Sequence, residues 1–338
     1  GGVDADLLYG NAGDDDIDGG AGNDTIIVSD GDDIVTYGDG TDRIVIRADY
    51  QIKNTETVGD GGLKLNLTKL SDGSDHSVTL LGDGSAGATF NLRVYRNATE
   101  FDDLLVKTDR DTSVDPAEID ASAETTPTLL ISGEDGDKLI GGSASDQLSG
   151  GGGDDVLDGG LGDDLLAGGA GSDTATFDNS SSSVDVDLAS GLASGEGSGK
   201  DMLTSVENVV GSDFNDTLSG DASDNIINGG AGDDVLQGRG GDDTLVGGDG
   251  NDIANYEDVT TTITADMGAG TVVGDDTGSD TLVGVERINA GSGDDVLKGS
   301  SGDDTLSGGL GDDIFWVSEG SDVILAGGGT DALYLSFG

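Results

Sequence analysis

Asp recurs in this sequence at an interval that can do chemistry. In residues 1–45, 132–176, 211–255 and 290–334 the chain repeats a nonapeptide, G-G-x-G-x-D-x-U-x, in which U is a large apolar residue. Its sixth position holds Asp6, Asp15, Asp24, Asp33 and Asp42 in the first array, and Asp137, Asp146, Asp155, Asp164 and Asp173 in the second. The third array has Asp216, Asn225, Asp234, Asp243 and Asp252, and the fourth Asp295, Asp304, Asp313, Asp322 and Asp331. Acidic residues are about a fifth of the chain, so chance would place roughly four at these twenty positions, and only Asn225 departs from Asp. Ionised carboxylates offer oxygen alone, which makes these residues candidate ligands for a hard cation.

The elements that must position them follow from the same repeat. Position eight is Leu, Ile, Val or Phe in eighteen of twenty units, the exceptions being Ala175 and Ala254 at the ends of their arrays. A loop of six and a strand of three account for both columns. Glycine lets the loop take positive φ and turn carbonyls inward, and the strand turns its apolar residue to one face. Strands this short must stack on neighbours. If two nonapeptides make one turn, Asp6 lies above Asp24 and Asp146 above Asp164, with strands about 4.8 Å apart. Such a column repels itself unless a divalent cation sits between successive loops. Calcium, which accepts about six to eight oxygens in flexible geometry, suits it best.

Composition agrees and excludes other classes. The 338 residues carry 69 acidic and 14 basic side chains, a net charge of −55. Nucleic acid, which needs clustered Lys and Arg, is excluded as a partner. No apolar run approaches the roughly 18 residues that span a bilayer. The absence of Cys removes disulfides and thiolate zinc sites. High charge with only 4% aromatic residues resembles a disordered chain, but the 33% hydrophobic residues are regularly spaced, which argues for a fold. The chain opens at Gly1 without Met or a signal-peptide pattern and is expected to be a section of a longer protein.

A longer period of 79 residues lies above the short one, taking Phe177 to Tyr256, Glu207 to Glu286, Asp216 to Asp295 and Leu218 to Leu297. It combines an array with an insert, 177–210 or 256–289. Each insert has an alternating, strand-like stretch (184–188 and 262–266), a degenerate loop (Gly199-Lys-Asp-Met-Leu203 and Gly278-Ser-Asp-Thr-Leu282) and a closing apolar strand (206–210 and 283–288). Phe177 and Tyr256 are expected to fill the space beside Ala175 and Ala254. Residues 46–131 read as a β insertion, with strands at 63–70, 77–81 and 89–95, then a linker near 108–127. The last stretch, 290–338, is the fourth array and the end of the sequence.

Units such as Gly150-Gly-Gly-Gly-Asp-Asp-Val-Leu-Asp158 and Gly229-Gly-Ala-Gly-Asp-Asp-Val-Leu-Gln237 closely resemble the RTX (repeats-in-toxin) hemolysin-type calcium-binding repeat. That resemblance implies an all-β fold, a calcium-bound parallel β-roll in several blocks with inserted strands. It implies Ca²⁺ between the position-six residues of units n and n+2, hence about twelve ions for four arrays of five. The site at Asn225 should be weaker. The family implies export by type I secretion machinery and a secreted or cell-surface location, with an extracellular polysaccharide or surface as a further partner. The expected function is a non-catalytic structural region of adhesin, surface-layer or fibril type. The alternative is the C-terminal module of a secreted protease, lipase or polysaccharide-modifying enzyme whose catalytic domain lies elsewhere.

Competing motifs fail. Asp14-x-Asp16-x-Asp18-Gly19 opens like an EF-hand, but the twelfth position is Thr25 instead of Glu. His76 is the only histidine, so no HExxH zinc site exists, and it reads as a surface residue. There is no G-x-S-x-G, and Gly199-Lys200 lacks the rest of a P-loop. Carboxylate pairs are too abundant to point to glycoside chemistry. Trp316 could stack on sugar but reads as roll packing.

Overall fold

The computed structural model describes residues 1–28, 31–37, 42–46, 50–58, 62–69, 75–81, 88–95, 101–108, 118–133 and 135–335. Among them every regular element is a strand. The nonapeptide strands pair in parallel with those 18 residues away, as in Lys138↔Val156 and Thr217↔Val235, so two nonapeptides make one turn of a parallel β-solenoid. Position eight lines its interior: Leu139, Leu148, Leu157 and Leu166 are all buried. The loops stack closely enough to require glycine. Gly151 has φ +95°, and a β-carbon there would overlap the Gly133 carbonyl one turn back.

The chain divides into two compact units, Gly1–Gly171 and Ser172–Gly338. In the first, residues 46–131 are woven into the roll. Tyr50–Val58, Gly62–Lys69 and Asp75–Leu81 form an antiparallel meander whose last strand lies parallel to Asp32–Thr36. Ala88–Tyr95 runs parallel to Asp42–Ile46, and Phe101–Thr108 links it to Thr128–Ile131. Val78 and Leu80 join the core of Ile26, Val35 and Ile44. The strands at 50–58 and 101–108 add to the three that alternation suggests. The roll also begins before residue 132. Glu118–Asp120 pairs with Lys138–Ile140, and Thr128–Ile131 with Gln147–Gly152. Ile119 and Leu130, in register with Leu139 and Leu148, supply the inward apolar residues there without the glycines that mark the motif. Of the expected linker, 109–117 lies outside the described residues. The side chain of His76 does too.

In the second unit both inserts belong to the roll. Val184–Asp187, Leu192–Gly195 and Gly199–Thr204 form an antiparallel meander. Its first strand lies parallel to Thr217–Ser219, and Asn208–Val210 returns beside Thr174–Thr176. The second insert repeats this path with Ile263–Asp266, Thr271–Gly274 and Gly278–Val283. Ile263–Asp266 lies parallel to Val296–Lys298, and Arg287–Asn289 beside Ile253–Asn255. The two meanders occupy different sheets. Five nonapeptides separate them, and successive nonapeptides alternate sheets, so an odd number exchanges the faces. Phe177 and Tyr256 are buried, beside the array ends where position eight shrinks to Ala175 and Ala254.

Candidate metal centre

Each loop delivers its position-six side chain to the same place. The Asp234 Oδ1 accepts the backbone N–H of Asp216 at 2.8 Å, and the Asp252 Oδ1 that of Asp234 at 2.9 Å. The same bond, 18 residues long, joins Asp6 to Asp24, Asp15 to Asp33, Asp24 to Asp42, Asp137 to Asp155, Asp146 to Asp164, Asn225 to Asp243, Asp295 to Asp313, Asp304 to Asp322 and Asp313 to Asp331. Apart from Asp6, Asp15, Asp322 and Asp331, which are half-buried, every position-six residue, Asp173 included, is buried.

The second carboxylate oxygen carries the chemistry. Asp15, Asp24, Asp33, Asp234, Asp243, Asp252, Asp295, Asp313 and Asp322 each bury an Oδ2 that accepts no hydrogen bond. A buried ionised oxygen without a partner is costly. Burial accordingly pushes Asp33, Asp234 and Asp295 up to about 6 and Asp243 to about 7, neighbouring carboxylates adding to the rise. Asp252 and Asp313 move the same way for the same reasons. Elsewhere that oxygen is capped by its own loop. Asp6 accepts the N–H of Gly2, Asp146 that of Gly142, Asp216 that of Ser212 and Asp304 that of Ser300.

No cluster of three His, Cys, Asp or Glu side chains gathers among the described residues. The donor set instead combines carboxylates with loop carbonyls. A β-carbon placed on Gly229 would crowd both Asp234 Oδ2 and the carbonyl of Gly247, so the two oxygens converge on one point. An all-oxygen set with an orphaned buried carboxylate oxygen fits a hard divalent cation.

Further features escaped the spacing argument. Position-five carboxylates also bridge turns, but in the opposite direction: Asp14 Oδ1 accepts the N–H of Asp32 at 2.9 Å and Asp294 Oδ1 that of Asp312 at 2.8 Å. Asp280, in the second insert, accepts the Asp243 N–H at 3.1 Å and the Tyr256 hydroxyl at 2.8 Å. Glu207 and Glu286 accept the N–H groups of Asp173 and Asp252 at 2.9 and 3.0 Å. Their 79-residue correspondence was the one signal available. Asn225 turns its amide to the Glu207 carbonyl at 2.7 Å, while Arg239 holds the Gly220 carbonyl and Asp187 at 2.6 Å each. Trp316 stacks on Tyr334 with ring centroids 4.7 Å apart, on the outside of the roll.

A parallel β-solenoid with a repeating oxygen site per turn defines a class of calcium-binding repeat protein. The RTX calcium-binding nonapeptide repeat matches residues 1–26, 9–44, 140–175, 205–236, 219–254, 280–315 and 307–338, more than half of the sequence, and the chain belongs to that family. No curated protein matches it. Among solved structures, the extracellular lipase LipA from Serratia marcescens is similar at 17% identity, over 83% of this chain and 36% of that one, with a TM-score of 0.22.

Proposed function

We propose that this chain is a calcium-folded structural region of a type I-secreted bacterial extracellular or cell-surface protein, of adhesin, surface-layer or fibril type. The observation that carries the reading is the column of buried, unpartnered Oδ2 atoms. Without a cation the roll buries like charges; with one, the same oxygens become ligands. Three n/n+2 pairs per array give about twelve ions, held by the position-six residues. Each independent site adds about 2.7 kcal/mol at a hundredfold excess of calcium over Kd. Extracellular modules bind at about 10⁻⁴–10⁻³ M, so the chain stays unfolded inside the cell and folds on export.

Calcium titration followed by circular dichroism tests this. The chelated chain should lack the β spectrum and gain it cooperatively with calcium. An unchanged spectrum and melting point in chelator would overturn the reading. A catalytic domain adjoining these residues in the intact secreted protein would replace the adhesin-type role with that of a module serving an enzyme.

A further inference from the structure

The column of position-six carboxylates does not stop where the nonapeptides do. Asp252 is the last such residue of the third array; it is fully buried and its Oδ2 has no hydrogen-bond partner. The next residue of that column by spacing would be 18 positions on, inside the meander. The chain instead returns 34 residues later, when Arg287–Asn289 pairs in register with Ile253–Asn255.

At that return a shortened loop reproduces the surroundings of an ordinary site. One turn earlier, Asp234 Oδ2 and the Gly247 carbonyl crowd a β-carbon placed on Gly229. A β-carbon placed on Gly247 would lie 2.5 Å from Asp252 Oδ2 and would overlap the carbonyl of Gly284. The Gly284 carbonyl therefore stands where a first-position glycine carbonyl normally stands. The Glu286 Oε2 takes the Asp252 N–H at 3.0 Å, as Asp252 Oδ1 takes that of Asp234 at 2.9 Å. The Arg287 N–H reaches the Asp252 carbonyl at 2.9 Å, as the Ile253 N–H reaches that of Asp234 at 2.8 Å. In a nonapeptide five residues of chain lead from the first glycine to the aspartate; here Gly284-Val-Glu286 covers the same distance in two. Glutamate has one more methylene than aspartate, which suits the shorter path.

The first insert has the same arrangement. Ser205-Val-Glu207 replaces Gly284-Val-Glu286, and Glu207 Oε2 accepts the Asp173 N–H at 2.9 Å. Ser205 holds φ +50° where Gly284 holds +62°. A residue with a β-carbon is kept in left-handed backbone at the position that matches Gly284.

We infer that Glu286 and Glu207 are calcium ligands outside the nonapeptide motif. Glu286 acts with the Asp252 carboxylate and the Gly284 carbonyl, and Glu207 with Asp173 and Ser205. Each site fastens the last loop of an array to the end of its insert. This rests on the calcium reading of the position-six residues given above.

The test counts ions on the full chain by native mass spectrometry at saturating calcium. Glu286→Gln keeps an oxygen to accept the Asp252 N–H but removes the charge. It should retain the β spectrum and carry one ion fewer than the parent. Glu207→Gln should behave likewise, and the double variant should lose two. Glu319→Gln, an exposed residue of the fourth array, should leave the count unchanged. If the parent is loaded and Glu286→Gln folds with a full complement, this inference fails while the position-six reading stands. A parent that binds no calcium overturns that reading itself. Should Glu286→Gln not fold, the count for Glu207→Gln decides on its own.

Discussion

The inserts at 177–210 and 256–289 follow one backbone path and meet the same demands with different side chains. Each must neutralise an outward aspartate at the end of its first strand. Asp187 takes Arg239 from a loop of the third array at 2.6 Å, and that guanidinium holds its carboxyl below the usual range. Asp266 takes Lys298 from the adjoining strand at 2.7 Å; burial raises its carboxyl, and the ammonium together with the N–H groups of Ala269 and Gly268 brings it below the usual range. Each also buries an aromatic ring two residues after the alanine that ends its array. Phe177 is a bare ring, whereas Tyr256 gives its hydroxyl to Asp280 at 2.8 Å. The lesson is that the path is fixed by pairing and burial, while the charges are balanced locally with whatever cation lies within reach.

The largest effect expected is on the chelated protein. A carboxyl whose folded pKa is raised favours the fold only while protonated. Its contribution is therefore full below the ordinary 3.8 and lost as the pH rises through the folded value, about 6 for Asp234 and Asp280 and about 7 for Asp243. Without calcium, lowering the pH from about 8 to about 4 should restore part of the β signal. The second insert, flanked by Asp243 and Asp280, should protect its amides from hydrogen exchange first. An acid titration of the chelated chain that shows no gain would break this.

Phe177→Ala should come next, at about 3–5 kcal/mol of stability. It should lower the melting point of the calcium form while leaving the number of bound ions intact. Loss of ions with the ring would mean that the aromatic residue holds the loops and does not merely fill space.

Tyr256→Phe makes the second insert imitate the first. It removes a buried donor from Asp280 and should cost about 1–3 kcal/mol. A smaller loss, equal to that of an exposed hydroxyl, would show that the two inserts are equivalent after all. The smallest effects belong to the ion pairs. Lys298→Ala should cost about 0.2–1 kcal/mol, less at high salt. Arg239→Gly should cost still less, because Arg239 occupies φ +73° and glycine relieves it. Thermal melts at low and high salt separate the two.

Much of this molecule was legible because two constraints repeat. Position six must carry a buried acceptor to the neighbouring turn and position eight must fill the interior, so both stand out in a single sequence. The elements that escaped do not share that redundancy. Thr128–Ile131 enters the roll on its apolar residues and the N–H of Thr128, which donates to Asp146, with no glycine to mark it. Asp280 and Glu286 act at distances of 37 and 34 residues, which only the three-dimensional return of the chain makes equivalent to 18. Asp14 and Asp15 look alike in sequence, and only the turn of the backbone points one at the neighbouring loop's surface and the other inward.

The exchange of faces between the two inserts bears on how such a chain can change its length. Deleting one nonapeptide, for instance 229–237, would leave every loop motif intact and carry the second meander, together with its parallel partners at 244–249 and 296–298, to the sheet that holds the first. Deleting 229–246 would shorten the roll by one turn and keep every later strand beside its present kind of neighbour. The number of nonapeptides between two inserts, odd or even, therefore decides whether their meanders stand on opposite faces of the roll or share one.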